Sequence, residues 1–119
     1  MEKQPAPNLI LELTLEFAVA IILYAEVLEA KRKFVLSNQL LKSGTSIGAN
    51  VREAQNAESK ADFIHKFKIT AKEVEETEYW LILCQRVPSY PTPEHLLESL
   101  SPIKKIISKI IISSKSKLR

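Results

Sequence analysis

Glu73 and Glu76 are the side chains whose spacing most invites a chemical reading, because carboxylates three residues apart share one face of a helix. Their row continues through Ile69, Trp80, Leu83 and Val87, which are apolar. An unpaired charge in such a row is costly, so the two carboxylates need partners or a solvated margin. The candidates are Ser43, Ser46, Asn50 and Arg52, all from one upstream segment. Facing Arg52, a carboxylate pair with displaced pKa values would suit proton transfer. A di-iron centre is not available, since Glu76 stands where the histidine of a Glu-x-x-His pattern belongs. His65 follows Asp62 by one turn, which orients an imidazole or forms a plain surface pair. A zinc site is not expected, with His65, Cys84 and His95 scattered over two helices. Cys84 falls on an apolar seam, where a thiol behaves as a small hydrophobe. The segment Gly44 to Gly48 lacks the Gly-Lys-Ser/Thr ending of a phosphate loop. No catalytic residue, metal or cofactor is therefore expected, and the chain does not read as an enzyme.

Those residues need helices to position them. The segment Gln39 to Ala54 carries both glycines of the chain, Gly44 and Gly48, stacked on one helical face. A glycine inside a helix costs about 1 kcal/mol against alanine, so the pair predicts that another backbone presses close there. A first helix is expected over about 8–30, capped by Asn8 after a loose leader. Its stripe of Ile10, Leu13, Phe17, Ala20, Tyr24 and Val27 lies beside a second of Leu11, Leu15, Ala18, Ile22 and Ala25. Two stripes predict burial on two sides. The outward row of Glu12, Glu16, Val19, Leu23 and Glu26 is apolar at its middle, which predicts a subunit contact centred on Val19 and Leu23 or simply two exposed aliphatics. The second helix spans about 36–54. A third, about 60–87, opens on a capping box of Ser59 and Asp62 and carries a heptad seam of Phe63, Phe67, Thr70, Val74, Thr77, Leu81 and Cys84. Pro88 to Pro93 stops it, and Thr92 with Pro93 starts a fourth over about 93–112. Pro102 either kinks that helix or splits it, and 113–119 is expected to fray.

The 119 residues make one domain, with 45% hydrophobic residues, two glycines and a net charge of +3. With turn-forming residues scarce outside Pro5, Pro7 and the Pro88 to Pro93 segment, these features predict an all-α chain of a few long helices joined briefly. The apolar run Phe17 to Ala25 is about half a membrane span and is flanked by glutamates. With a single cysteine and no signal pattern, a cytoplasmic location is expected and no membrane partner.

Three blocks, Gln39 to Gln55, Glu58 to Lys66 and Lys72 to Leu81, resemble the 23S rRNA-intervening-sequence protein family of bacteria. The likeness covers about 34–90, with the flanking helices similar in pattern more than in letters. Lys42 stands where the family more often has arginine, which keeps the charge but loses a bidentate fork. The resemblance implies an all-α, antiparallel up-down-up-down four-helix bundle that assembles as a ring-like homopentamer. It also implies a link with RNA, since family members are encoded within insertions in ribosomal RNA genes. A similar protein, the accessory variability determinant of diversity-generating retroelements, binds nucleic acid. On that reading Gly44, Ser46, Gly48 and Asn50 serve helix packing and polar satisfaction, and the residue pattern adds Ser43, Arg52, Glu73, Glu76 and Trp80 to the expected polar network.

A ring repeats each basic patch on every subunit and multiplies the phosphates it can engage. The patches are Lys31, Arg32 and Lys33 at one end, and Lys104, Lys105, Lys109, Lys115, Lys117 and Arg119 along the last helix and tail. With no aromatics expected between these cations, base-specific reading is not expected. The function expected is RNA or DNA binding through backbone phosphates, without a small-molecule substrate. The alternative is a scaffold that presents its ring surface to a protein partner.

Overall fold

The heptad spacing of the third helix dictates what surrounds it, because a seam repeating every three and four residues must be covered along its whole length. In the computed structural model, which describes residues 5–118 and the side chains of 9–116, four helices do the covering. They are α1 (Pro5–Ala30), α2 (Phe34–Ala54), α3 (Lys60–Arg86) and α4 (Glu94–Leu118). Each helix packs on its neighbour in chain order, and α1 meets α4 to close the set. With connectors as short as 31–33 and 55–59, this is an up-and-down four-helix bundle of 49 × 30 × 21 Å. Its core runs the length of the bundle, from Ile10, Phe67 and Ile107 through Ile47 and Val74 to Leu28, Leu81 and Leu96.

The seam of α3 behaves as its spacing predicts: Phe67, Thr70, Val74, Thr77, Leu81 and Cys84 are buried, with Phe63 half-buried beside them. Ser59 caps the helix, its hydroxyl accepting the Asp62 N–H at 3.0 Å. The Asp62 carboxylate accepts from Glu58 N at 3.1 Å, one residue before the cap, so the box is completed on the preceding residue. At the far end Val87 is extended ahead of Pro88, and α3 stops at Arg86.

The three-residue connector between α1 and α2 turns sharply. Lys33 N donates to Leu28 O and Arg32 N to Glu29 O, both at 2.8 Å, while Arg32 adopts a left-handed φ of 64°. This is the helix-ending turn that usually has glycine in the left-handed place. Ser37, buried in the first turns of α2, donates to Ala25 O at 3.0 Å and ties the two helices together just below it.

Several expectations are corrected. Helix α1 starts at Pro5, so Asn8 lies inside the helix; prolines in a first turn forfeit no hydrogen bond. Leu15, Ile22 and Val27 are exposed, because α1 has covering neighbours on fewer sides than two full apolar stripes need. Helix α4 begins at Glu94: the Pro93 carbonyl accepts the first bonds from Leu96 and Leu97, and Thr92 Oγ1 lies 3.4 Å from Glu94 N. It runs unbroken past Pro102 and on to Leu118, with Ser114 still buried, so 113–118 is helix where a frayed tail was expected. Pro102 is exposed, and its ring points away from the packed face.

Candidate nucleic-acid interface and subunit face

The glycines of α2 bring α1 close. A β-carbon on Gly48 would stand 3.3 Å from both the backbone oxygen and the Oγ1 of Thr14. On Gly44 it would fall 2.9 Å from Cγ1 of Ile21, a fully buried side chain. The expected backbone contact is therefore met at Gly48, while at Gly44 the missing methyl makes room for Ile21. Thr14 satisfies its own hydroxyl by donating to Ile10 O at 2.8 Å, so α1 can present this surface without an orphaned donor.

That approach leaves a shallow crevice of about 110 Å³ on the outer side, between Leu11, Leu15 and Ala18 of α1 and Thr45, Gly48 and Ala49 of α2. It adjoins the exposed apolar row of α1. Val19 is 52% and Leu23 58% exposed, and Leu15, Ile22 and Val27 extend the row beyond the two residues read from sequence. The apolar character of the additional three is visible in the sequence, but their spacing places them on the stripes expected to face the core.

The polar network expected across α2 and α3 does not assemble. Ser46 Oγ donates to Lys42 O at 2.6 Å and Asn50 Nδ2 to Ser46 O at 2.9 Å, so both spend their polarity on their own helix. Arg52 is exposed and lines crevices with Leu11, on the side of α2 that faces α1, away from Glu73 and Glu76. Ser43 alone crosses over, its buried Oγ accepting from Thr77 Oγ1 at 2.8 Å. Burial first, then the neighbouring Glu76, pushes the Glu73 carboxyl above its ordinary range, and Lys42 pulls the other way. Glu76 is exposed, and the Trp80 Nε1 is buried without a hydrogen-bond partner among the described residues. No group of three or more His, Cys, Asp or Glu side chains converges among the described residues, and His65 and His95 are both exposed.

The basic residues divide into two separate patches. Lys31 and Arg32 are exposed on the turn after α1, and Lys33 places its Nζ 5.0 Å from the centroid of the Tyr90 ring. Tyr90 belongs to the loop 87–93, which is held at this end by Tyr24 donating to Pro91 O at 2.6 Å. Burial, with the Cys84 thiol close by, pushes the Tyr24 hydroxyl well above its ordinary pKa, so it remains a donor. Phe34 is 49% exposed directly after Lys33. Aromatics thus do accompany these cations, contrary to the sequence expectation: Phe34 by adjacency and Tyr90 by the fold. Among the described residues no carboxylate lies within 4.0 Å of Lys31, Arg32 or Lys33.

On α4, Lys104 is engaged by Glu78 at 2.9 Å and Glu75 at 3.4 Å, and the Glu78 hydrogen bond raises its pKa further. It is therefore the wrong lysine for a phosphate, because α3 places two carboxylates opposite it. Lys105, Lys109 and Lys115 are exposed, whereas the side chains of Lys117 and Arg119 lie outside the described residues. Since α4 begins beside the 87–93 loop and runs away from it, Lys109 and Lys115 sit toward the opposite end of the bundle from Lys31.

Comparison with known proteins gives two findings. The family model described as 23S rRNA-intervening sequence protein matches residues 8–112. A crystal structure of a protein of unknown function from the S23 ribosomal protein family of Bacteroides thetaiotaomicron is similar at 45% identity and a TM-score of 0.82, covering 89% of this chain and 97% of that one. No curated protein matches the chain.

Proposed function

The chain belongs to the 23S rRNA-intervening sequence protein family, and we propose that it acts as a closed homo-oligomer, a pentamer by family resemblance, that holds RNA or DNA through backbone phosphates without catalysing a reaction. The observation that carries this reading is the pairing of an apolar face with an unneutralised basic end on one small bundle. The row Leu15, Val19, Ile22, Leu23 and Val27 exposes more aliphatic surface than a lone bundle in water favours, which supports a subunit contact along α1. Lys31, Arg32 and Lys33 have no carboxylate neighbours within 4.0 Å among the described residues, which leaves them available to phosphate. Repetition around a ring would convert a modest net charge of +3 per chain into a multivalent cationic surface. Phe34 and Tyr90 add rings on which an unpaired base can stack, which favours single-stranded or looped RNA over a uniform duplex.

A proton-transfer role at Glu73, Glu76 and Arg52 has no comparable support, because Arg52 faces α1 and Glu76 faces solvent. The test is a binding titration with structured ribosomal RNA at about 50 mM salt, repeated as salt rises, alongside a solution mass. We expect an oligomeric mass and an affinity that falls steeply with salt. Absent or salt-insensitive binding would overturn the nucleic-acid reading. Capture of a protein partner that survives nuclease treatment would then favour a scaffold.

A further inference from the structure

The seam between α1 and α4 is the most loosely closed of the four. Toward the end of the bundle where α3 begins and α4 finishes, it widens into a cleft of about 520 Å³. Its walls are Leu9 and Ile10 of α1, Phe63 and Phe67 of α3, and Ile106 and Ile110 of α4. The two rings stand 4.9 Å apart, tilted at 45°, and form a continuous aromatic wall. Such a volume lies within the range of about 300–1,000 Å³ that small-molecule sites occupy.

The edge of the cleft is cationic. Lys60 and Lys109 both line it and are both exposed, and neither has a carboxylate within 4.0 Å among the described residues. The Lys60 Nζ lies 5.9 Å from the centroid of Phe63, at the border between the aromatic wall and water. The remaining polar lining is Gln55, Ser113 and Ser114, too little to satisfy a base or a sugar.

We propose that this cleft binds a single-chain amphiphile with an anionic head, of the fatty-acid class, its chain against Phe63, Phe67 and Ile110 and its carboxylate between Lys60 and Lys109. An apolar interior with charge of one sign confined to the edge complements such a ligand end for end. A neutral hydrocarbon leaves the ammonium groups unused, and a cationic amphiphile is repelled by them. The site is distinct from the basic end at Lys31 and from the exposed row of α1; Lys109 is shared with the basic patch of α4, so dodecanoate binding is read without RNA and separately from nucleic-acid binding.

Calorimetric titration of the full chain with dodecanoate below its micelle-forming concentration, without RNA, tests this. We expect one dodecanoate per chain, and decanoate, two methylenes shorter, weaker by about fifteenfold, since each methylene buried is worth about 0.8 kcal/mol or nearly fourfold. The Lys60→Gln/Lys109→Gln double variant should weaken dodecanoate by about tenfold and leave the melting curve in place. Ile106→Trp fills the cleft but risks the core, so Ser113→Trp at the exposed edge is the companion block; both should reduce binding. No binding up to about 1 mM (a free energy near 4.1 kcal/mol) overturns the proposal. Dodecylamine binding as tightly as dodecanoate, or a double variant binding like the parent, overturns it equally.

Discussion

A β-carbon on Gly48 would stand 3.3 Å from the Thr14 backbone oxygen, tighter than an ordinary contact, so a larger side chain has to push the α1 main chain away. Gly48→Leu should lower stability by roughly 1–3 kcal/mol, measured by urea unfolding, because main chain cannot step aside as a side chain can. Unchanged stability would mean that α1 and α2 do not meet as described. Arg32 is the reverse case, a side-chain-bearing residue at a φ of 64°. Arg32→Gly should raise stability by about 0.5–1 kcal/mol in the same assay while weakening RNA binding. Glu73 responds to pH. Its carboxyl is held above the ordinary range, so the folded chain retains that proton where the unfolded chain has released it. Its stabilising contribution is complete below the ordinary glutamate range and is lost as pH rises through the raised folded value. Glu73→Gln should therefore melt higher than the parent at about pH 7, with the gap closing at about pH 3.

At the scale of elements, the buried Thr77 and Ser43 hydroxyls pin α3 to α2 in a seam otherwise filled by hydrocarbon. Thr77→Val leaves the Ser43 hydroxyl buried without its donor and should cost about 1–3 kcal/mol, whereas Thr77→Val with Ser43→Ala should recover most of it. A double-mutant cycle by thermal unfolding reads the difference. The heptad of α3, the stop before Pro88 and the Ser59 cap were all legible, since periodicity, proline sterics and capping are local properties of the chain. The end of α4 was not. Ser113 to Leu118 has no strong local preference for helix, and the packing that buries Ser114 extends the helix there. Pro102 was similarly ambiguous, because a proline on the outer face of a long helix can be carried by the packing around it.

For the molecule as a whole, the apolar row of α1 is the feature a single bundle leaves unexplained. Val19→Glu with Leu23→Glu should leave the helical content intact, shift the solution mass to that of one chain, and weaken RNA binding through lost multivalency. A double variant of unchanged mass would place any subunit contact elsewhere. No helix among the described residues is long and apolar enough to cross a membrane, so that row is not a spanning segment. The two basic patches sit toward opposite ends of each bundle, and a ring built on α1 would repeat each as its own cationic belt.

From the order of residues alone come four helices, their approximate limits, the glycine contact and the buried seam, because each follows from spacing within a turn or two of chain. Folding decided the rest. It set Lys104 between two carboxylates, turned Arg52 away from Glu73, put Tyr90 beneath Lys33 and opened the cleft below Phe67. Each of these depends on which parts of separate elements meet, and a rotation of one helix by a single residue would change the pairings that helix makes while leaving its local pattern as it stands.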